Sequence, residues 1–391
     1  MIDFIKENNY LDHAATTYVR PEVLEKMLPF FSEKFGNPSS LYDIAQESKN
    51  AIEEAREICA SVLNCDPSEI YFTSGGSESN NMAIKGISYD NTDFNIISSL
   101  IEHHAVIHPI EQLSNIGVVT SFIEVDQRGL IKLEKFKENI NNSTKLVTFM
   151  YVNNETGVIQ DLKEISKIIN KYESDNNCEI IFHTDAVQAP GKLSLNVENL
   201  GVDLLSVSGH KIYAPKGIGL LYKRSGIDIQ PLISGGGQEN QMRSGTENVP
   251  YIVALAEALR LSELERIENE QKMKKLSDLL ISEINTRIKN YKLNSSRDIC
   301  VPGIINLSFP GFDGESIILG LNFKGIYVSS GSACSSASIE PSHVLSALGL
   351  TEEESLASIR ISLGRYNTEN HIHEFVSALE GVLTQLSSYK K

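Results

Sequence analysis

Short apolar runs alternate with stretches of helical periodicity from Ile70 to Tyr222, and few architectures accommodate that rhythm. The runs at 70–73, 95–98, 118–123, 146–151, 180–183, 204–207 and 219–222 read as strands. Helical patterns fill several gaps between them, at 77–87, 105–115 and 162–172. Strand-helix alternation implies a mostly parallel sheet covered on both faces. In such sheets ligands sit at the carboxyl ends of the strands. The residues that follow each run are therefore the candidates for chemistry.

Upstream, residues 10–17 read as an extended segment, and Pro21 opens a helix to about Phe35. Gly36-Asn37-Pro38-Ser39-Ser40 breaks it, and a second helix runs from about Tyr42 to Val62. After Pro250, Tyr251 to about Tyr291 reads as one long charged helical connection between domains. Short strands and helices follow at 304–309, 316–321, 341–348, 359–363 and 369–386, which suggests a smaller α+β domain. The expected division is a large domain over 15–255 and a small one made of 1–14 and 256–391.

The chain has 391 residues, enough for a large core and more than one domain. Hydrophobic residues at 41% and charged residues at 22% suit a globular enzyme. A net charge of −16 argues against a nucleic-acid-binding surface as the main business. The 5 cysteines, Cys59, Cys65, Cys178, Cys300 and Cys334, form no C-x-x-C pair, so neither a disulfide framework nor a zinc site is suggested. Residues 1–10 lack the apolar run of a signal peptide, and no segment reads as a membrane span. A reducing cytoplasm is the expected compartment.

Several strand ends carry reactive or ligand-binding residue types. Lys211 follows a buried run, in Ser208-Gly209-His210-Lys211, with Pro215 and Gly217 just beyond. An amine held in a tight turn can form a Schiff base with a carbonyl, most commonly that of pyridoxal phosphate. Ser-x-x-Lys by itself equally describes a surface lysine. Thr73-Ser74-Gly75-Gly76-Ser77 lies between a strand and a helix, where glycines and free N–H groups can cradle a phosphate. The alternative is an ordinary glycine turn. Asp185, past another buried run, needs a partner, and a protonated pyridine nitrogen would serve. A capping role is the alternative. Gln188 is placed to donate to the phenolic oxygen of such a cofactor.

His103 ends another strand and could stack on a planar cofactor and move protons. His104 and His108 stand one helical turn apart, so a metal site is conceivable, but no Cys or carboxylate completes it convincingly. Asn154 follows the fourth strand and can reach the same ligand. Residues 234–246 form a mobile glycine-rich loop with Arg243 and Thr246, whose glycines do not match a dinucleotide fingerprint. Cys334 sits among Ser, Ala and Gly, with little to pack against, as a reactive thiol would. Arg360 lies in a strand-like run, and its planar fork suits bidentate binding of a carboxylate.

In combination, Ser-Gly-His-Lys, His-Thr-Asp-Ala-Val-Gln, Asn-Asn-Glu-Thr-Gly, Met-Arg-Ser-Gly-Thr and Ser-Gly-Ser-Ala-Cys resemble the cysteine desulfurases of the NifS/IscS type. These belong to the class V aminotransferase family of fold-type I pyridoxal phosphate enzymes. The resemblance runs from Tyr10 to about Leu386. It implies an aspartate aminotransferase-like α/β fold, pyridoxal 5'-phosphate as cofactor, L-cysteine as substrate and a homodimer. It implies Lys211 as the Schiff-base lysine, Asp185 on the pyridine nitrogen, and His103 stacked on the ring and shuttling protons. Asn154 and Gln188 would hydrogen-bond the cofactor. Gly76, Ser77, Ser208 and His210 would hold the phosphate, with Thr246 from the partner subunit.

By the same resemblance Arg360 takes the substrate carboxylate and Cys334 accepts sulfur as a persulfide, from a long mobile loop at about 329–341. The products would be L-alanine and sulfur destined for an acceptor protein, in iron–sulfur cluster assembly or tRNA thiolation. Ser77 stands where many relatives have Thr, which keeps the hydroxyl, and the longer tail that some relatives use to dock a cluster scaffold is expected to be lacking. Competing readings are a selenocysteine lyase or another lyase or aminotransferase of the same fold, a sulfur-relay protein whose cofactor fold is only structural, and a Cys–His hydrolase. Cys334 argues against an aminotransferase, and the intact Lys211, Asp185 and His103 argue against a relay.

Overall fold

The structure, a computed structural model, describes residues 9–87, 92–330 and 340–388. Its strands are β1 (Asn9–Tyr10), β2 (Ile70–Thr73), β3 (Asn95–Ser99), β4 (Val119–Ile123), β5 (Thr144–Thr148) and β6 (Ile181–Asp185). Then come β7 (Leu204–Ser208), β8 (Gly219–Lys223), β9 (Lys292–Leu293), β10 (Ile304–Ser308), β11 (Ile326–Tyr327) and β12 (Ser358–Ser362).

A seven-stranded sheet has the order β2-β8-β7-β6-β5-β3-β4. β3 pairs in parallel with β4 and β5, β5 with β6, and β6 with β7. β8 alone reverses, running against β7 and β2. Residues 209–218 between β7 and β8 hold only one short 3-10 turn, Gly209–Lys211, among their regular elements. A connection without a crossover helix can join only antiparallel neighbours. Every residue of β2, β3, β6 and β7 is buried, as in a sheet covered on both faces, and the polar residues among them lie mostly toward the carboxyl ends.

Three sequence expectations need correction. The run at 146–151 ends as a strand at Thr148, because the Met150 N–H leaves the ladder and donates to Glu102 Oε1 at 2.9 Å. The helix expected from Pro21 to Phe35 is two pieces, Pro21–Met27 and Pro29–Ser32, since Pro29 has no N–H to continue the first. The stretch 251–291 is not one connection but two helices, Val249–Leu264 and Arg266–Arg287. The first buries Ile252, Leu255 and Leu259 in the core of the large sheet, against Ala55 and Leu63 of the helix Asp43–Leu63. The second gives Leu276, Leu280 and Ile284 to a separate core with Leu11, Phe375 and Leu379.

That separate core lies on the antiparallel sheet β12-β10-β9. The first described residues join it: β1 pairs in parallel with β11, and Asp12 bridges Ser362. Their path back to the large sheet carries Ala14 and Ala15 under Lys211, so one short segment ties both cores to the site.

Candidate active site

The carboxyl ends of β2, β3, β5, β6 and β7 open onto one cavity of about 520 Å3. Beyond β7, the turn Gly209–Lys211 carries Lys211 into it. The Lys211 Nζ donates to the carbonyls of Ala14 at 2.7 Å and Ala15 at 2.6 Å. Two residues on, Tyr213 holds a left-handed φ of 68°, an uncommon conformation for a bulky residue. Tyr213 is pinned there by its N–H to Thr17 Oγ1 at 2.8 Å and by its hydroxyl, which accepts from the Arg365 N–H at 2.9 Å.

Asp185 is the last residue of β6 and is buried. Its Oδ1 accepts from the Val187 N–H at 2.9 Å, and its Oδ2 from Asn80 Nδ2 at 2.7 Å. No helix starts after Asp185, so it caps none; the bond to Val187 closes a local turn and leaves lone pairs for a further donor. Gln188 turns its Nε2 to the Ala14 carbonyl at 2.9 Å, with one amide hydrogen to spare, while its Oε1 is buried without a partner. The Asn80 Oδ1 and the Arg360 Nε are in the same condition. Asn80, Gln188 and Arg360 all line the cavity. Buried polar atoms left unpaired cost about 1–3 kcal/mol each, so a polar ligand would relieve them.

Gly76 and Ser77 open the ten-residue helix Gly76–Lys85, which has no side-chain cap. Its first N–H groups and its positive dipole end are therefore available to an anion. A Cβ on Gly76 would stand 2.7 Å from Val187 Cγ2 and 3.3 Å from Ser208 Cβ, so only glycine lets this end approach β7. Ser208 and His210 complete this corner. The His210 Nδ1 lies 3.1 Å from Thr16 Oγ1. Burial, with Lys211 and Lys216 nearby, pushes the His210 imidazole down to about 4, so it is neutral at pH 7.

His103 caps the helix His104–Ser114, its Nδ1 accepting from the Ala105 N–H at 3.0 Å. That bond assigns Nδ1 as the acceptor nitrogen. His104 stacks on His108 at 4.8 Å and meets His343 at 4.9 Å. Among the described residues no three His, Cys, Asp or Glu side chains are arranged to hold a metal.

Arg360, in the middle of β12, is 2% exposed. Its guanidinium donates to the Asn154 carbonyl at 3.0 Å, to Asp12 Oδ1 at 2.9 Å and to Ser329 Oγ at 2.8 Å. Asn154 itself lines the cavity. Thr246 is exposed and does not line it. Cys334 lies outside the described residues, as does most of the expected loop at 329–341.

Sequence reasoning missed the supports of these residues. Asn80 stands one helical turn after Gly76, a spacing that could have flagged it. The carbonyls of Ala14 and Ala15, and Asp12 beneath Arg360, leave no signal in residue type. Glu102 is fully buried, accepts from Ser99 Oγ at 2.6 Å, and has an unpaired Oε2. Burial pushes its carboxyl up to about 8. Burial likewise raises Glu155, whose Oε2 accepts from Ser342 Oγ at 2.6 Å.

The arrangement suits a planar group with a basic ring nitrogen at Asp185, an anion at Gly76 and Ser77, and a carbonyl within reach of Lys211. Known proteins point the same way. The family model described as aminotransferase class-V matches residues 9–375. The chain is 45% identical over 392 residues to "Cysteine desulfurase IscS" of Dictyoglomus turgidum, covering 99% of this chain and 98% of that one. It is 45% identical over 379 residues to the protein of the same name from Methanosarcina thermophila, covering 96% and 92%. A solved "NIFS-LIKE PROTEIN" superimposes with a TM-score of 0.90 at 38% identity, over 97% of this chain and 100% of that one. A structure titled "SspA in complex with cysteine" does so at 0.80 and 37% identity, over 92% and 99%.

Proposed function

The chain belongs to the aminotransferase class-V family and is a cysteine desulfurase of the NifS/IscS type, and we propose that the cavity above the strand ends is where it works. One observation carries the site assignment. Lys211, Asp185, His103, Asn154, Gln188 and Arg360 arrive from five separate segments and line a single cavity.

The residues present fit pyridoxal 5'-phosphate. Asp185 would face its ring nitrogen, Lys211 its carbonyl carbon, and Gln188 and Asn154 its ring oxygen, with His103 against the ring face. Gly76, Ser77, Ser208 and neutral His210 would hold the phosphate by hydrogen bonds. When bound, this cofactor supplies an electron sink for the α-carbon of an amino acid. Arg360 binds the carboxylate of L-cysteine, oriented by Asp12 and Ser329. Lys211 takes the α-proton at Nζ and later returns a proton to carbon. His103 moves protons at Nε2, since Nδ1 is committed to the helix cap. The Cys334 thiolate attacks the substrate sulfur, the carbon–sulfur bond breaks, and the products are L-alanine and a persulfide on Cys334. That sulfur passes to an acceptor protein, for cluster assembly or tRNA thiolation.

The working form in this reading is a homodimer, each subunit lending Thr246 to its partner's phosphate corner. Its support is that Thr246 is exposed and away from its own cavity, and that Phe31, Phe35, Leu41 and Tyr42 expose apolar surface. Two domains are proposed, supported by Leu11 sharing a core with Leu276 and Phe375, but the expected boundary at 255/256 moves to the break at Glu265, because the unbroken helix Val249–Leu264 keeps Leu259 and Leu261 in the large core. In the described residues no helix is long and apolar enough to cross a membrane. The cytoplasm is the proposed compartment, supported by four described cysteines that are all free thiols. The net charge of −16 supports the expectation that the chain does not bind nucleic acid directly.

The test is the visible spectrum of the purified protein before and after L-cysteine, with alanine and sulfide assayed. A coloured protein whose spectrum changes and which forms alanine supports the reading. A colourless protein, or pyruvate as the product, overturns it.

A further inference from the structure

β12 is the outer strand of its sheet and pairs with β10 along one edge. Its other edge takes two short bridges, Asp12 at Ser362 and Ser329 at Arg360. In the second, the Arg360 N–H donates to the Ser329 carbonyl at 2.6 Å and the Ser329 N–H to the Arg360 carbonyl at 3.3 Å. The same two residues also meet through their side chains. Arg360 Nη2 donates to Ser329 Oγ at 2.8 Å and to Asp12 Oδ1 at 2.9 Å. Ser329 Oγ in turn donates to Asp12 Oδ1 at 2.9 Å, which closes a triangle.

A guanidinium offers a carboxylate two forks, Nε with Nη2 along its side and Nη1 with Nη2 across its end. Each fork uses one Nη2 hydrogen. Asp12 and Ser329 engage both of them, and the Asn154 carbonyl takes one Nη1 hydrogen at 3.0 Å. The Nε–H is buried with no acceptor. Arg360 lines the large cavity, yet neither of its forks is open there. A bidentate carboxylate has to take an Nη2 hydrogen from Asp12 or from Ser329.

Those two holders are unequal. Asp12 is charged, and its pair with Arg360 is nearly sealed on the arginine side. Parting such a pair leaves an uncompensated buried charge. The backbone around Asp12 is fixed as well: the Leu11 carbonyl accepts from the Ser362 N–H at 2.7 Å, and the His13 N–H donates to the Ser362 carbonyl at 3.2 Å. The Ser329 hydroxyl is neutral. It can release the Nη2 hydrogen and still donate to Asp12. An ionised acceptor holds an ionised donor more strongly than a hydroxyl does.

We propose that Ser329 sets the affinity of the substrate site: its hydroxyl is an internal occupant of the Arg360 fork, and the carboxylate of the amino acid enters by displacing it. This rests on the reading of Arg360 as the carboxylate-binding residue. The free site gives up one charge-assisted hydrogen bond when the substrate enters, so it holds amino acids less tightly than a bare arginine would. L-Alanine carries the same carboxylate as L-cysteine, and the returning hydroxyl therefore also helps the product leave.

Ser329→Ala empties that position, and Ser329→Thr keeps the hydroxyl. The readouts are KM for L-cysteine and the dissociation constant of L-alanine, taken from its effect on the visible spectrum of the cofactor-loaded protein. In Ser329→Ala both should fall by roughly three- to tenfold. In Ser329→Thr both should stay within about twofold of the wild type on the same scale. If Ser329 only steadies the guanidinium, Ser329→Ala raises both constants, and the proposal is overturned. Unchanged constants in Ser329→Ala overturn it too, as does a Ser329→Thr protein that shifts as far as Ser329→Ala. The underlying reading is tested in parallel by Arg360→Lys. A raised KM there, with unchanged constants in Ser329→Ala, defeats the proposal alone, whereas an unchanged KM in Arg360→Lys defeats the reading beneath it.

Discussion

Asn80 donates to Asp185 Oδ2 at 2.7 Å across 105 residues of sequence, with both side chains buried. The helix Gly76–Lys85, whose N-terminus opens into the cavity, thus also steadies the Asp185 carboxylate. Shortening Asn80 leaves a buried acceptor on Asp185 unpaired, at a cost of about 1–3 kcal/mol. Asn80→Ala should weaken pyridoxal phosphate binding by roughly tenfold or more on that scale, read by titrating the cofactor into the stripped protein. Asn80→Asp should be worse, because it sets a second carboxyl against Asp185. Wild-type affinity in both variants would separate Asn80 from the site.

Arg360 is held by Asp12, and the pair is nearly sealed from solvent on the Arg360 side. Breaking a buried ion pair costs about 3–5 kcal/mol. Asp12→Ala should therefore lower thermal stability and raise KM for L-cysteine, because the guanidinium loses its aim. Arg360→Lys keeps the charge but not the fork, and KM should rise by roughly 10- to 100-fold with the cofactor spectrum intact. Unchanged KM in Arg360→Lys would remove it from substrate binding.

Burial pushes the thiols of Cys59, Cys65 and Cys300 up to about 12, so at pH 8 they are not thiolates. Replacing each by Ser should leave alanine formation within about twofold. Cys334→Ser should abolish it while the cofactor stays bound. Mass spectrometry after L-cysteine should find the added sulfur on the peptide containing Cys334. Persulfide on any of the other three would reassign the acceptor.

Glu102 adds a pH dependence of its own. Its carboxyl is raised from the ordinary 4.5 to about 8 by burial. The folded chain then binds a proton that the unfolded chain releases between those values. The contribution of Glu102 to stability is complete below about 4.5 and is lost as pH rises through about 8. Glu102→Gln keeps the acceptor for Ser99 and Met150 and removes the titration. Its Tm should gain on the wild type as pH is taken from 6 to 9. Parallel Tm curves would show Glu102 ionised throughout.

Pattern in the chain carried the sheet, most strand limits and the reactive residue types, because strands buried on both faces leave short apolar stretches, such as Ile96-Ile97, Ile181-Phe182 and Leu204-Leu205, between helical patterns. Lys211, Asp185 and Arg360 were legible because their chemistry is rare beside such strands. The partners of these residues were not legible. Asp12 meets Arg360 across 348 residues, and Ala14 offers Lys211 a backbone carbonyl that every residue type possesses. The two helices within 251–291 looked like one, since a local periodicity does not say which core a face will enter. Lys192 reads in sequence as an ordinary lysine after a glycine. Only the folded chain takes its amine out of water and sets it on the Gln188 carbonyl, because desolvation and distance are properties of packing and not of composition.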